Sequence, residues 1–238
     1  MSAAIREVHG SEVAFREWER PVVSRYEAAK AIFDVLFAIV LLVVLSPVIL
    51  IAVVLVRVTS SGSPIYTQKR VGQNGLHFTI YKIRSMYQDS EVNGPRWSIP
   101  GDPRVTPIGQ FLRWSHLDEL PQLINVIRGE MSLIGPRPER PELIAELERA
   151  LPHYRLRLMV RPGISGLAQV LLPPDTDLGS VRHKLKYDIH YVDRMSFFLD
   201  ARICIATILL CLGIPGSWIA GMMRFPYEEL DLEPALQG

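Results

Sequence analysis

The sequence predicts an α+β fold, mostly helical: a small soluble domain carried on a membrane helix, with further amphipathic helices lying at the interface. Three observations predict it. Val35 to Val56 is a run of 22 residues without a charge. Phe78-Thr79-Ile80-Tyr81-Lys82-Ile83 alternates as a short strand does, while longer stretches of the remaining chain read as helix. Apolar character returns from Phe197 to Met223, interrupted by Gly213, Pro215 and Gly216 and so too short to cross a bilayer.

In chain order the expected divisions are a lead-in over 1–27, the membrane helix over 28–58, the soluble domain over 59–196, and an interfacial helix with a C-terminal extension over 197–238. The lead-in mixes Arg6, Glu7, Glu12, Arg16, Glu17, Glu19 and Arg20, and no small-residue cleavage site follows the apolar core. It does not read as a secretory signal and is expected to stay on the mature protein. The uncharged run, as a helix, reaches about 33 Å, the thickness of a bilayer's hydrocarbon core. Ser46-Pro47 lies at its centre. Proline removes a donor and clashes with the carbonyl four residues back, that of Val43, for which the Ser46 hydroxyl is a candidate new partner. Arg16, Arg20, Arg25 and Lys30 precede the run, and Arg57, Lys69 and Arg70 follow it. Positive charge marks the cytoplasmic side. A kinked spanning helix and a re-entrant hairpin both remain open, and the symmetric flanks suit the hairpin. Asp34 is placed to pair with Lys30 one turn earlier.

Beyond Thr59, Ser60 to Pro64 reads as a turn, and Val71 to Gly75 as a second turn that makes a small hairpin with the strand after it. Asn93 to Pro103 reads as loop, and Ile108 to Arg128 as largely helical with a breaker at Pro121. Gly135-Pro136-Arg137-Pro138 is a rigid extended turn, Pro141 to Met159 a charged helical stretch, Arg161 to Gly166 a turn, and Val181 to Val192 a helix. Ile203 to Ile214 fits a helix on the membrane surface or packed on the domain.

The formal net charge of +1 gives no electrostatic case for nucleic acid. Cys204 and Cys211 read as small apolar residues on one helix face, and the six histidines show no ligand spacing. A Gly-rich phosphate loop, a nucleophile elbow and a zinc signature are all absent from the sequence.

The candidate for chemistry is Asp118-Glu119. Adjacent carboxylates on a helix point about 100° apart, so one can attack or take a proton while the other holds a cation. The plainer alternative is a helix start, because Ser115 and Asp118 have capping-box spacing. Pro136-Arg137-Pro138 holds one guanidinium between two restricted backbone angles, which suits a phosphate or diphosphate, although an ordinary loop arginine fits as well. Lys69, Arg70, Lys82, Arg84, Arg104, Arg113 and Arg161 each read singly as a solvated or snorkelling side chain, but together with the acidic pair they would make a polyanion pocket.

Taken together, several blocks resemble the bacterial sugar transferase family, the monotopic phosphoglycosyl transferases, over about residues 28 to 213. They are the apolar run with Ser46-Pro47, then Gln68-Lys69-Arg70-Val71-Gly72 and Phe78 to Met86. Asp102-Pro103-Arg104 through Gly109 with Leu112-Arg113 follows, then Leu117-Asp118-Glu119-Leu120-Pro121-Gln122-Leu123. Asn125 to Pro138, Arg161 to Val170 and Tyr187 to Val192 complete the set. The resemblance implies a membrane helix that is re-entrant and broken at Ser46-Pro47, so that the protein dips into one leaflet from the cytosolic face of the bacterial inner (cytoplasmic) membrane. It implies that Asp118 attacks the β-phosphorus of a UDP-sugar, expels UMP and keeps the phospho-sugar as an acyl phosphate. A polyprenyl phosphate, undecaprenyl phosphate in particular, then takes the phospho-sugar, the first membrane step of glycoconjugate assembly. Glu119, with Asp118, would help hold Mg²⁺, and Lys82, Arg84, Arg104, Arg113, Arg137 and Arg161 would bind substrate. His116 stands where a small residue is common, and larger relatives carry an N-terminal helix bundle, so the resemblance is to a minimal member. A transferase moving only the sugar with release of UDP, and a non-enzymatic anchor for polysaccharide assembly, are the competing readings. Membrane lipids are expected partners, and a membrane-tied helical domain also allows a homodimer.

Overall fold

The computed structural model describes residues 25–88, 90 and 101–225. The lead-in up to residue 24, the extension from residue 226 and most of the loop expected over 93–103 lie outside the described residues.

Helix α1 (Arg25–Thr59) is 35 residues long and carries Pro47 inside it. The break expected at Ser46-Pro47 is not a break in the helix, which is helical on both sides and through the pair. Its physical reason is local. Ser46 Oγ donates to the Val43 carbonyl at 2.8 Å, the group that proline leaves without its usual donor. The helix is long and apolar enough to cross a membrane by length and composition. Only one stripe of it is covered. Ala38, with Leu41 and Leu42, packs on Ile80, Leu123, Val126 and Met131. Ala52 and Val56, with Ile49 and Val53, pack on Ile83 and Leu112. Small residues in the stripe let the domain approach the helix backbone, while Phe33, Leu36, Val40, Val43, Val44, Leu50, Ile51 and Val54 remain exposed.

The N-terminal end of α1 is tied to the domain by buried charge. Lys30 pairs with Asp34 at 3.3 Å, as its spacing predicts, and also with Asp200 at 2.6 Å. The Tyr26 and Tyr191 hydroxyls donate to Asp200 at 2.6 and 2.8 Å, and Ser132 Oγ donates to Asp34 at 2.6 Å.

The expected hairpin is present as strands β1 (Ile65–Val71) and β2 (His77–Ile83), antiparallel with Ile65 opposite Ile83 and Val71 opposite His77. Asn74 (φ 55°) and Gly75 (φ 78°) make its left-handed turn. Helix α2 (Pro107–Trp114) is capped by Thr106, whose Oγ1 accepts from Gly109 N at 2.9 Å. The helical stretch expected to break at Pro121 breaks earlier, at His116, which has φ 57°. A 3₁₀ turn, Leu117–Gln122, then contains Pro121 and leads into α3 (Leu123–Ile127).

Strands β3 (Ser132–Ile134) and β4 (Gly163–Ser165) pair in parallel. The sequence suggested a turn at β4 and no element at β3, because three-residue strands are too short to show a period. The stretch expected over Pro141–Met159 is split into α4 (Pro141–Ala150) and a 3₁₀ turn, Tyr154–Met159, by His153 at φ 61°. Next come α5 (Leu167–Leu171) and α6 (Leu178–Arg194), which contains the helix expected over Val181–Val192 and opens with an Asp177–Ser180 capping box. Finally α7 (Phe197–Cys211) and α8 (Gly216–Met223) replace the single late helix expected. Helices α5 to α8 enclose the largest core, around Val170, Tyr187, Tyr191, Ile203 and Ile219.

Candidate active site

His116, in the left-handed region, turns the chain out of α2 and starts the 3₁₀ turn that carries Asp118 and Glu119. Successive residues of such a turn point about 120° apart, and the two carboxylates meet different surroundings. Glu119 Oε1 takes Lys82 Nζ from β2 at 2.7 Å and Arg137 Nη2 from the proline-flanked loop at 2.7 Å. Arg137 Nη1 lies 3.4 Å from Glu119 Oε2. Burial disfavours the Glu119 charge, but the charges of Arg137 and Lys82 and the hydrogen bonds they donate outweigh it and hold its carboxyl well below the usual range.

Asp118 is only 7% exposed and makes no hydrogen bond to a described residue. Burial pushes its carboxyl above the ordinary aspartate range, and the Glu119 charge pushes the same way. Lys82, Arg137 and Arg113 pull against them. Asp118 does not cap a helix: the Ser115 hydroxyl turns back to the Phe111 carbonyl at 2.8 Å, and His116, not Ser115, precedes the turn.

The pair opens into a cleft of about 2170 Å³ whose wall includes Lys82, Arg84, Arg113 and Arg137. Arg113 Nε donates to Ser85 Oγ at 2.8 Å. Arg84 is spent on structure, donating to the Ser61 carbonyl and to the Ser60 carbonyl at 3.0 Å where α1 ends. Arg104 and Arg161, expected among the substrate-binding cations, are not brought to this cleft. Arg104 instead grips Asp102, Nε to Oδ1 at 2.9 Å and Nη2 to Oδ2 at 2.6 Å. The lining also includes apolar side chains, among them Phe37 and Leu41 of α1 and Ile208 of α7.

Sequence reasoning missed Arg157, a buried guanidinium that donates to the Arg137 carbonyl at 2.8 Å. No local signal marks it, since its partner Asp188 is 31 residues away in sequence. Among the described residues no three His, Cys, Asp or Glu side chains converge as a metal-binding group.

The family model described as Bacterial sugar transferase matches residues 25–213. An Aeromonas hydrophila protein named UDP-N-acetylgalactosamine-undecaprenyl-phosphate N-acetylgalactosaminephosphotransferase is 42% identical over 183 residues, 77% of this chain and 43% of its own length. A Xanthomonas campestris UDP-glucose:undecaprenyl-phosphate glucose-1-phosphate transferase is 37% identical over 191 residues, 79% of this chain and 40% of its own. The match thus spans less than half the length of these two relatives. A Rhizobium leguminosarum exopolysaccharide production protein, PSS, is 37% identical over 186 residues, and there the match covers 93% of the relative. With the match running from the start of α1 to just past α7 and carrying both carboxylates, the chain belongs to the bacterial sugar transferase family.

Proposed function

We propose that the protein is a phosphoglycosyl transferase that moves a sugar 1-phosphate from a UDP-sugar to a polyprenyl phosphate and releases UMP. One observation carries the reading. A buried carboxylate, Asp118, stands without a hydrogen-bond partner among the described residues, beside a second, Glu119, whose charge is already balanced by Lys82 and Arg137. An acid kept desolvated and unengaged is a ready nucleophile. The names of the relatives supply the donor and acceptor classes.

In the first step an Asp118 oxygen attacks the β-phosphorus of the donor. The bond from that phosphorus to the bridging oxygen breaks, and UMP leaves with the electron pair. In the second step a phosphate oxygen of the acceptor attacks the same phosphorus and frees the Asp118 carboxylate. Arg137, Lys82 and Arg113 oppose the charge that spreads over the phosphoryl oxygens. Asp118 and Glu119 are the residues that would hold Mg²⁺, a cation that takes one or two carboxylates from a protein and the rest of its ligands from water and phosphate. When bound it neutralises charge on the diphosphate.

The membrane reading rests on α1. Its N-terminal end is bonded to Asp200 and its C-terminal part packs on Ile83 and Leu112 of the same domain. A spanning helix would carry one end to the far side, so this arrangement supports a monotopic, re-entrant placement, and the positive residues on both flanks of the apolar run favour the cytosolic face of the bacterial inner membrane. Phe37, Leu41 and Ile208 line the same cleft as the carboxylates, and these apolar side chains would suit the acceptor's hydrocarbon chain.

The test uses the protein in lipid particles with Mg²⁺ and undecaprenyl phosphate, screened against UDP-sugars, with Asp118→Asn in parallel. The relatives are named for different sugars, so a panel is needed. UMP released from one sugar, and absent in the variant, is the expected result. UDP instead of UMP would assign sugar-only transfer, and equal UMP from the variant would remove Asp118 as nucleophile. No nucleotide from any donor would favour the anchor.

A further inference from the structure

The loop that presents Arg137 has an unusual supply of hydrogen bonds. Pro136 and Pro138 have no backbone N–H, so this segment cannot be held by donating into a ladder. It is held through its carbonyls instead, each by a different element. Pro136 O accepts from Gly163 N at 2.9 Å, Arg137 O from Arg157 Nη2 at 2.8 Å, and Pro138 O from Arg70 Nη1 at 3.0 Å. Glu139 O then accepts from Val71 N at 2.9 Å. Two of these donors are arginine side chains, and one of them acts on the residue that carries the fork.

Arg157 is built for that single task. It is 5% exposed and does not line the cleft. Its Nε donates to Asp188 Oδ2 at 2.9 Å and its Nη1 to the Tyr154 hydroxyl at 2.7 Å. Its Nη2 lies 2.7 Å from Asp188 Oδ2 and reaches on to the Arg137 carbonyl. Buried ion pairs of this kind are poor sources of stability, because desolvation offsets their attraction. What this one does provide is direction: a planar guanidinium locked on two sides can aim its third edge at one oxygen. Beyond that oxygen, the Arg137 side chain is 38% exposed, so one edge of its fork holds Glu119 while the rest stays open to the cleft.

We propose that Arg157, backed by Asp188 and Tyr154, and Arg70 are positioning residues that fix the Arg137 backbone so that its guanidinium both holds Glu119 and faces the donor's diphosphate. The kinetic form of this inference rests on the phosphoglycosyl transferase reading. Misplacing a charged group by an ångström can cost about a hundredfold in rate, so a loosened loop lowers kcat more than it raises KM.

The experiment is a double-mutant cycle on UMP release by the full chain in lipid particles. Arg157→Lys keeps the charge but loses the two-sided lock, and is expected to lower kcat about ten- to a hundredfold. In an Arg137→Ala background the same change is expected to cost less than about twofold. Arg70→Lys is expected to show the same dependence on Arg137, so the inference survives a folding failure of either single variant. An equal loss in both backgrounds means the arginines act on the fold alone, and overturns it. A second cycle needs no turnover. Thermal unfolding of Arg137→Ala, Glu119→Gln and their double variant reads the coupling of that pair, which is expected to be present with Arg157 and lost in the Arg157→Lys background. Retained coupling overturns the inference. A wild-type chain that releases no UMP overturns the reaction reading while this second cycle still decides the positioning.

Discussion

Two buried clusters of charge in this molecule use the same kinds of residue and are wired differently. At the N-terminal end of α1, Lys30 lies between Asp34 and Asp200, and both acids are also hydrogen-bonded, one by Ser132 and the other by Tyr26 and Tyr191. In the cleft, Lys82 and Arg137 both converge on Glu119, and the adjacent Asp118 is left without a hydrogen bond from any described residue. A cluster in which every acid is satisfied behaves as a staple. A cluster that spends two cations on one acid and leaves its neighbour desolvated stores reactivity at some expense in stability.

The sharpest test of that contrast is Asp118→Asn. Turnover is expected to fall at least about a thousandfold, the scale of losing a nucleophile. The melting temperature is expected to stay level or rise, since the variant removes a desolvated charge beside Glu119. Measuring UMP release and unfolding on the same preparation checks both halves, and a large drop in Tm would break the comparison. Asp200→Asn is expected to do the reverse. It leaves Lys30 buried with a weaker partner, at a cost of about 3–5 kcal/mol, while turnover per folded molecule changes little. Loss of turnover without loss of stability at Asp200 would show that the staple also shapes the site.

How much of this was legible in the sequence follows from how local each feature is. The apolar run, the β1–β2 hairpin and helix α6 announce themselves through period and turn residues, and α1 even carries its own remedy for Pro47 in Ser46. Asp118-Glu119 could be singled out, but its helix-cap alternative could be set aside only once the Ser115 hydroxyl was seen bonded to Phe111. Strands β3 and β4 were invisible because each is three residues long and they pair across some thirty residues of sequence. Arg157 was invisible for the same reason, and Arg84 read as a ligand until its donors were found on the carbonyls that end α1.

The pH dependence is a finer probe of the same contrast. The Asp118 carboxyl is raised by burial and by Glu119, so the ionised nucleophile is lost as pH falls through a range above that of an ordinary aspartate. Glu119 is held well below the usual range, so the stability from its ion pairs is present above the unfolded carboxyl's range and is lost only at lower pH. Acidification is therefore expected to remove activity first, as a single-proton limb, and stability later. In Glu119→Gln the limb is expected to move to lower pH, because the charge that raises Asp118 is gone while Lys82 and Arg137 remain. A limb that stays in place would assign the titration to another group.

The smallest effects are expected at Arg161 and Arg104. Arg137 and Arg161 look alike in sequence, each followed directly by a proline, yet only Arg137 reaches the cleft. Arg104 is turned onto Asp102 through two of its nitrogens, which occupies the face that would otherwise meet phosphate. Steady-state kinetics of Arg161→Ala and Arg104→Ala are expected to show KM for the UDP-sugar changed by less than about threefold, below the scale of one lost charge-assisted hydrogen bond. Arg137→Ala, by contrast, is expected to exceed about tenfold in kcat/KM. If Arg161→Ala matched Arg137→Ala, the donor would have to reach beyond the cleft, and the line drawn between cations that bind the diphosphate and cations that hold the fold would move to include the β4 turn.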